Sequence, residues 1–143
     1  FQDTKRQYQD FCRETLVDSG GDFWKMVEEL FHQVLYRDYS GRLARLFQNV
    51  LTYAEAEKFV KILRESGGDG KKMDEWMYEQ VDKSQLRIES LEEFRVLIEM
   101  CMLAILMAFA QRYKDKESIE SVEWSFFRKM DFLKNGVLKH KES

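Results

Sequence analysis

Cysteine and histidine are the side chains best suited to nucleophilic or acid–base chemistry, and this 143-residue sequence has two of each. A thiol enzyme needs a base beside the sulfur, because the thiolate is the attacking species. Cys101 lies inside an apolar run and Cys12 is far from it in sequence. His32 borders an apolar helix face, and His140 lies in a C-terminal stretch that we expect to be frayed. A thiol enzyme using Cys101 therefore stays open only as an alternative.

The acidic residues do not form a catalytic or metal-binding pattern. The Glu92-Glu93 pair fits the start of a helix, and Asp69-Gly70 with Asp74 and Glu75 lacks the ligand spacing of a calcium loop. The sequence has no glycine-rich phosphate loop, no Glu-x-x-His and no cysteine pair spaced for zinc or a disulfide. We therefore predict no catalytic residue, no metal ligand and no cofactor.

The longest apolar run, from Met100 to Ala110, is the element around which the chain is organised. Glu99 and Gln111 bracket this run, which is too short for the roughly 20 residues that span a bilayer. Wound as a helix it has no polar side, and a helix that is apolar all round is buried all round. We predict a central helix over residues 91–113, covered on every side by the others.

The rest of the chain predicts an all-α fold of about seven helices. Apolar residues recur at helical spacing, glycines fall at boundaries, and proline is absent. Asp22, Thr52 and Ser90 have the types and positions of helix N-caps. The other predicted helices cover residues 3–18, 23–36, two segments between Gly41 and Gly67, 71–82 and a last one between Lys116 and Gly136.

Composition limits the classes of protein and of partner. Apolar residues make up 44% of the chain, which argues against disorder, and the length predicts one domain over residues 1–143. Charged residues of both signs are interspersed and the net charge is −3. Since nucleic-acid surfaces need clustered Lys and Arg, we predict no nucleic-acid partner. The oligomeric state is not specified by the sequence.

With no pattern for catalysis, metal binding or nucleic-acid binding, the sequence leaves binding to other proteins as the predicted function. In the last helix, Trp124 and Phe132 lie on the side away from Ile119 and Phe126. Large apolar groups that miss the core often contact partners, although another helix could equally cover them. A second candidate patch, which could also be an ordinary solvated face, combines tyrosine and arginine at Tyr36, Tyr39, Arg42 and Arg45.

The first hypothesis is therefore a non-enzymatic helical scaffold that binds partner proteins. The alternative is a carrier of an apolar small molecule, held in the helical core near Met100, Met102 and Met107. Methionine is flexible and polarisable, so it adapts to irregular ligands as readily as it fills a core.

Two segments also resemble a known family. Asp22-Phe23-Trp24-Lys25-Met26-Val27-Glu28-Glu29-Leu30-Phe31 and the Met100–Ala110 run are similar to MIX, the kinetoplastid mitochondrial membrane-anchored protein family. This resemblance implies a single all-helical domain without catalysis, protein partners and a mitochondrial location. It also implies contact with a membrane only through an anchoring segment upstream of Phe1.

Overall fold

Five α-helices make up the part of the chain that this computed structural model describes, residues 2–36 and 72–136, with side chains from residue 9 onward. They are α1 (Gln2–Asp18), α2 (Phe23–Tyr36), α3 (Met73–Gln80), α4 (Leu91–Tyr113) and α5 (Ile119–Asn135), with a 3-10 turn at Lys83–Gln85. These ranges contain no strand, which confirms the all-α prediction. The two helices predicted between Gly41 and Gly67 lie outside the described residues.

Local side-chain chemistry sets where these helices begin. The Ser90 hydroxyl accepts a hydrogen bond from the Glu93 amide at 3.2 Å and caps α4 as predicted. The Glu93 carboxylate accepts from the Glu89 amide at 2.6 Å, one residue earlier than in the usual capping box. Asp22 caps α2 by accepting from the Lys25 amide at 3.1 Å. Each cap satisfies amides that have no partner inside the helix.

Aromatic packing holds α2 against two other helices. The Phe31 ring of α2 stacks on Phe126 of α5, with centroids 4.0 Å apart. The Phe23 ring meets Phe94 of α4 edge to face, with centroids 5.5 Å apart. All four rings are fully buried. These two contacts fix the position of α2 relative to both C-terminal helices of the described region.

One side of α4 is exposed, contrary to the sequence prediction. Val96, Met100 and Met107 have 58%, 46% and 52% of their surfaces accessible, whereas Phe94 and Ile105 on the other side are fully buried. The prediction that α4 is covered on every side is therefore wrong. The described helices pack against one side of α4 and leave the other uncovered. None of the described helices combines the length and the hydropathy needed to cross a bilayer.

Gly21, in the turn between α1 and α2, lies against the C-terminal end of α3. Its carbonyl accepts a hydrogen bond from the Asp82 amide at 2.8 Å, and its φ is +89°. A Cβ at this position would collide with the Gln80 carbonyl oxygen and approach the Asp82 nitrogen to 2.9 Å. Glycine is therefore required here both for its backbone conformation and for the close approach of two chain segments.

We expect Gly21→Ala to destabilise the fold clearly more than Gly20→Ala. Gly20 also has positive φ, but a Cβ there would meet nothing within 4 Å, so its substitution costs only the backbone strain of about 1–2 kcal/mol. The collision at Gly21 adds roughly 1–3 kcal/mol. Free energies of unfolding from urea titrations measure both changes, and equal losses for the two variants would contradict the close packing of Gly21 on α3.

Candidate functional site

A cavity of about 50 Å³ lies between α1, α2, α3 and α4. Each of the four helices contributes to its lining, and almost all of the lining surface is apolar. The lining residues are Gln9, Cys12, Phe23, Met26, Val27, Leu30, Met73, Asp74, Met77, Ile98, Cys101, Met102 and Ile105. The residues come from four separate parts of the chain, so the cavity has no short sequence signature.

Nearly half of the lining residues carry sulfur. Both cysteines and four methionines contribute, namely Cys12, Cys101, Met26, Met73, Met77 and Met102. Methionine has three rotatable bonds and no branch, so such a lining can change shape at low cost. Of the three methionines expected to hold an apolar molecule, only Met102 lines the cavity, because Met100 and Met107 lie on the exposed side of α4.

Asp74 supplies a buried charge to the cavity lining. The residue is 2% exposed, and its carboxylate accepts from Arg95 Nε at 2.5 Å and from the Glu75 amide at 2.8 Å. Arg95 belongs to α4 and also lies 3.6 Å from the Glu75 carboxylate. A buried carboxylate is tolerated when it is paired and hydrogen-bonded. The ion pair therefore joins α3 to α4 beside the cavity.

Both thiols are free and buried, an environment that disfavours the thiolate form. Burial raises the pKa of Cys12 and the pKa of Cys101 to about 12. His32 packs against the rings of Phe31 and Tyr36, with centroids 5.7 and 5.5 Å apart. His32 does not line the cavity, and the described ranges contain no cluster of three His, Cys, Asp or Glu side chains suited to a metal ion.

Of the six side chains predicted to bind a partner, three are exposed on described helices and three lie outside the described residues. Trp124 is 71% exposed on α5, and Phe132 and Tyr36 are also exposed. The Phe132 ring lies 5.0 Å from the guanidinium of Arg128. Tyr39, Arg42 and Arg45 lie outside the described residues, as do Gly41 and His140. The structure thus places Trp124 and Phe132 at the surface, and their role in partner binding stays a prediction.

A second exposed apolar surface, not predicted from the sequence, is one that we term the α4 strip: Val96, Met100, Leu103 and Met107. Val96, Met100 and Met107 are exposed, and Leu103 is partly buried. Their spacing of four, three and four residues places them on one side of a helix. This spacing can be seen in the sequence. Because α4 is apolar on its other sides too, however, the sequence does not indicate which side is left uncovered.

Comparison with known proteins identifies one family. The family model described as "Tetracyclin repressor-like, C-terminal domain" matches residues 22–137. No curated protein and no solved structure gives a significant match. Proteins of this kind typically bind DNA through an N-terminal domain and a small-molecule ligand through the C-terminal domain, and they are regulators rather than enzymes.

This match overturns the resemblance to the kinetoplastid MIX family and what followed from it. The mitochondrial location, the membrane anchor and the scaffold function were wrong, and so was the prediction of no nucleic-acid partner. The two segments behind the resemblance are an amphipathic helix and an apolar helix, which many all-α domains contain. The alternative of an apolar small-molecule ligand agrees better with the family.

We expect both native thiols to resist a thiol reagent such as 5,5′-dithiobis(2-nitrobenzoate) at pH 8. A pKa raised from 9.0 to about 12 lowers the thiolate fraction at that pH by about a thousandfold. The absorbance of released thiolate should therefore appear only after denaturation, when two thiols per chain react. Rapid reaction of one thiol in the folded protein would revive the thiol-enzyme alternative.

Proposed function

Because the chain belongs to the family of tetracyclin repressor-like C-terminal domains, we propose that it is the ligand-binding domain of a regulatory protein. The observation that carries this proposal is the apolar cavity between α1, α2, α3 and α4. A space lined by apolar side chains favours an apolar ligand, because every methylene group buried there contributes about 0.8 kcal/mol. The ligand is therefore a small molecule with little polar surface.

The volume of the cavity constrains how a ligand enters it. The cavity holds about 50 Å³, whereas pockets for drug-sized ligands measure roughly 300–1,000 Å³ and a cavity of about 150 Å³ binds benzene. A ligand of benzene size or larger must therefore displace lining atoms. Met26, Met73, Met77 and Met102 are the side chains best able to move, since rotation about their side-chain bonds is easy.

The regulatory role rests on coupling between ligand and DNA binding in proteins of this kind. A ligand can shift a regulatory equilibrium only by its difference in affinity for the two states. Here the cavity is shared by four helices, so a ligand that enlarges it changes their relative positions. In a polypeptide that joins this domain to a DNA-binding domain, the ligand is thus expected to change the affinity for DNA.

We propose a second function, in which the α4 strip and Trp124 form the contact with a second copy of this chain. The spacing of the strip is that of the apolar seam between paired helices. Exposed apolar rows of this kind mark protein contact sites more often than they mark plain surface.

Charge on α5 favours a second copy over an unrelated partner. Glu120 and Glu123 lie in the first half of the helix, whereas the second half has three basic residues and one acid, Asp131, which lies 4.0 Å from Arg128. Together with Trp124, the side chains of Glu120, Glu123, Arg128 and Asp131 border a shallow open groove. Two antiparallel copies of α5 would place the acidic first half of one helix against the mainly basic second half of the other, which favours pairing of like copies.

The ligand site is tested by two substitutions of Cys101 with opposite effects. Cys101→Leu fills the cavity and should weaken benzene binding at least about tenfold, whereas Cys101→Ala enlarges it and should strengthen binding. For the wild type, benzene at about ten times its Kd should raise the free energy of unfolding by about 1.4 kcal/mol. Thermal unfolding with and without benzene measures this change, and the same response from both variants would place the ligand elsewhere.

Sedimentation velocity tests the contact between copies. The wild type is expected to sediment as a dimer, and Met107→Glu or Trp124→Glu to shift it to monomer, because each substitution buries a charge in the contact. Val17→Glu is the matched control, since Val17 is equally apolar and exposed but lies on α1. A wild type that is monomeric at every concentration tested would contradict the proposal.

A further inference from the structure

We propose that the ion pair between Asp74 and Arg95 limits the size of the ligand that the cavity accepts. The pair holds α3 against α4, and α3 is the part of the lining that moves when a ligand exceeds the resting volume. This inference rests on the proposed function of the cavity as the ligand site.

The helix α3 is the least secured of the four that line the cavity. It has eight residues, against 17, 14 and 23 for α1, α2 and α4. Its N-cap residue, Lys72, makes no side-chain capping hydrogen bond. Helices this short have little stability of their own and depend on tertiary contacts. The ring contact of α3 with α4, between Tyr78 and Phe94, lies in the second half of the helix, with centroids 5.5 Å apart.

Two polar contacts hold α3 at opposite ends. Near its start, the Asp74 carboxylate accepts from Arg95 of α4. Just beyond its end, the Asp82 amide donates to the Gly21 carbonyl at 2.8 Å. Because the second contact fixes the C-terminal end, an enlarging cavity would swing the N-terminal end of α3 away from α4. The Arg95 guanidinium, which pairs with Asp74 and lies 3.6 Å from the Glu75 carboxylate, makes the polar contact that opposes this movement.

The cost of that movement depends on ligand size. Met73 and Met77 of α3 can rotate to admit a small ligand without any change in the ion pair. A larger ligand must displace the helix itself, which separates a buried carboxylate from its guanidinium partner. Charge-assisted hydrogen bonds are roughly twice as strong as neutral ones, so the pair resists this separation strongly. Arg95 is not a lining residue, so it would set specificity without touching the ligand.

The test uses two aromatic hydrocarbons and a neutral version of the pair. Asp74→Asn combined with Arg95→Gln keeps a hydrogen bond of similar length but removes both charges. Naphthalene affinity is expected to rise about tenfold in this double variant, because a weaker bond is broken, while benzene affinity stays within about twofold. The control is Lys25→Gln with Glu29→Gln, an ion pair of 3.3 Å within α2 that leaves α3 untouched.

Titration calorimetry separates this inference from the proposed function. If both probes bind the wild type and the double variant with the same ratio of affinities, the size-limiting role of the pair is wrong and the ligand site stands. If neither probe binds any variant, both proposals fail. Should the double variant not fold, Arg95→Lys, which keeps the charge but loses the planar guanidinium, is expected to shift the ratio in the same direction by a smaller factor.

Hydrogen exchange of the unaltered protein gives a second measurement. Naphthalene is expected to speed amide exchange in α3 by several fold relative to benzene, with α5 unchanged, because only the larger probe displaces α3. Exchange in α3 that is equally slow with both probes would overturn the inference.

Discussion

The packing of α2 is the constraint on which the described structure depends. This helix buries seven of its residues and lies between elements from both ends of the chain. Phe31 stacks on Phe126 and Phe23 meets Phe94, so α4 and α5 are positioned through α2 rather than only through each other. The cavity lies between the buried side of α2, which forms one wall, and α3, a short helix that forms another.

Much of the helical architecture could be predicted because its determinants are local. Ser90, Asp22 and the glycine turns act within a few residues of where they lie, and the structure places the helix boundaries close to them. The exposed side of α4 could not be predicted. When a helix has no polar side, its sequence does not indicate which side faces solvent, so the uncovered side of α4 could not be identified.

The cavity could not be predicted from the sequence for a different reason. In the sequence, Met26, Met73 and Met77 look like ordinary core residues. Only the fold brings them together with Cys12 and Cys101 around one cavity. A site without directed polar groups leaves no motif of the kind that marks enzymes or metal centres. The family match, by contrast, draws on residues 22–137 together, whereas the earlier resemblance rested on two short helical segments.

The seven methionines of the chain fall into two chemical environments, and an oxidant would distinguish them. Four line the cavity and Met130 is buried elsewhere in the core, whereas Met100 and Met107 each have about half of their surface exposed. Conversion of a thioether to a sulfoxide makes a flexible apolar side chain polar. In a single unpaired copy, oxidation would therefore make the outer side of α4 polar first and leave the buried sulfur atoms intact, whereas a second copy packed on the α4 strip would shield Met100 and Met107 as well.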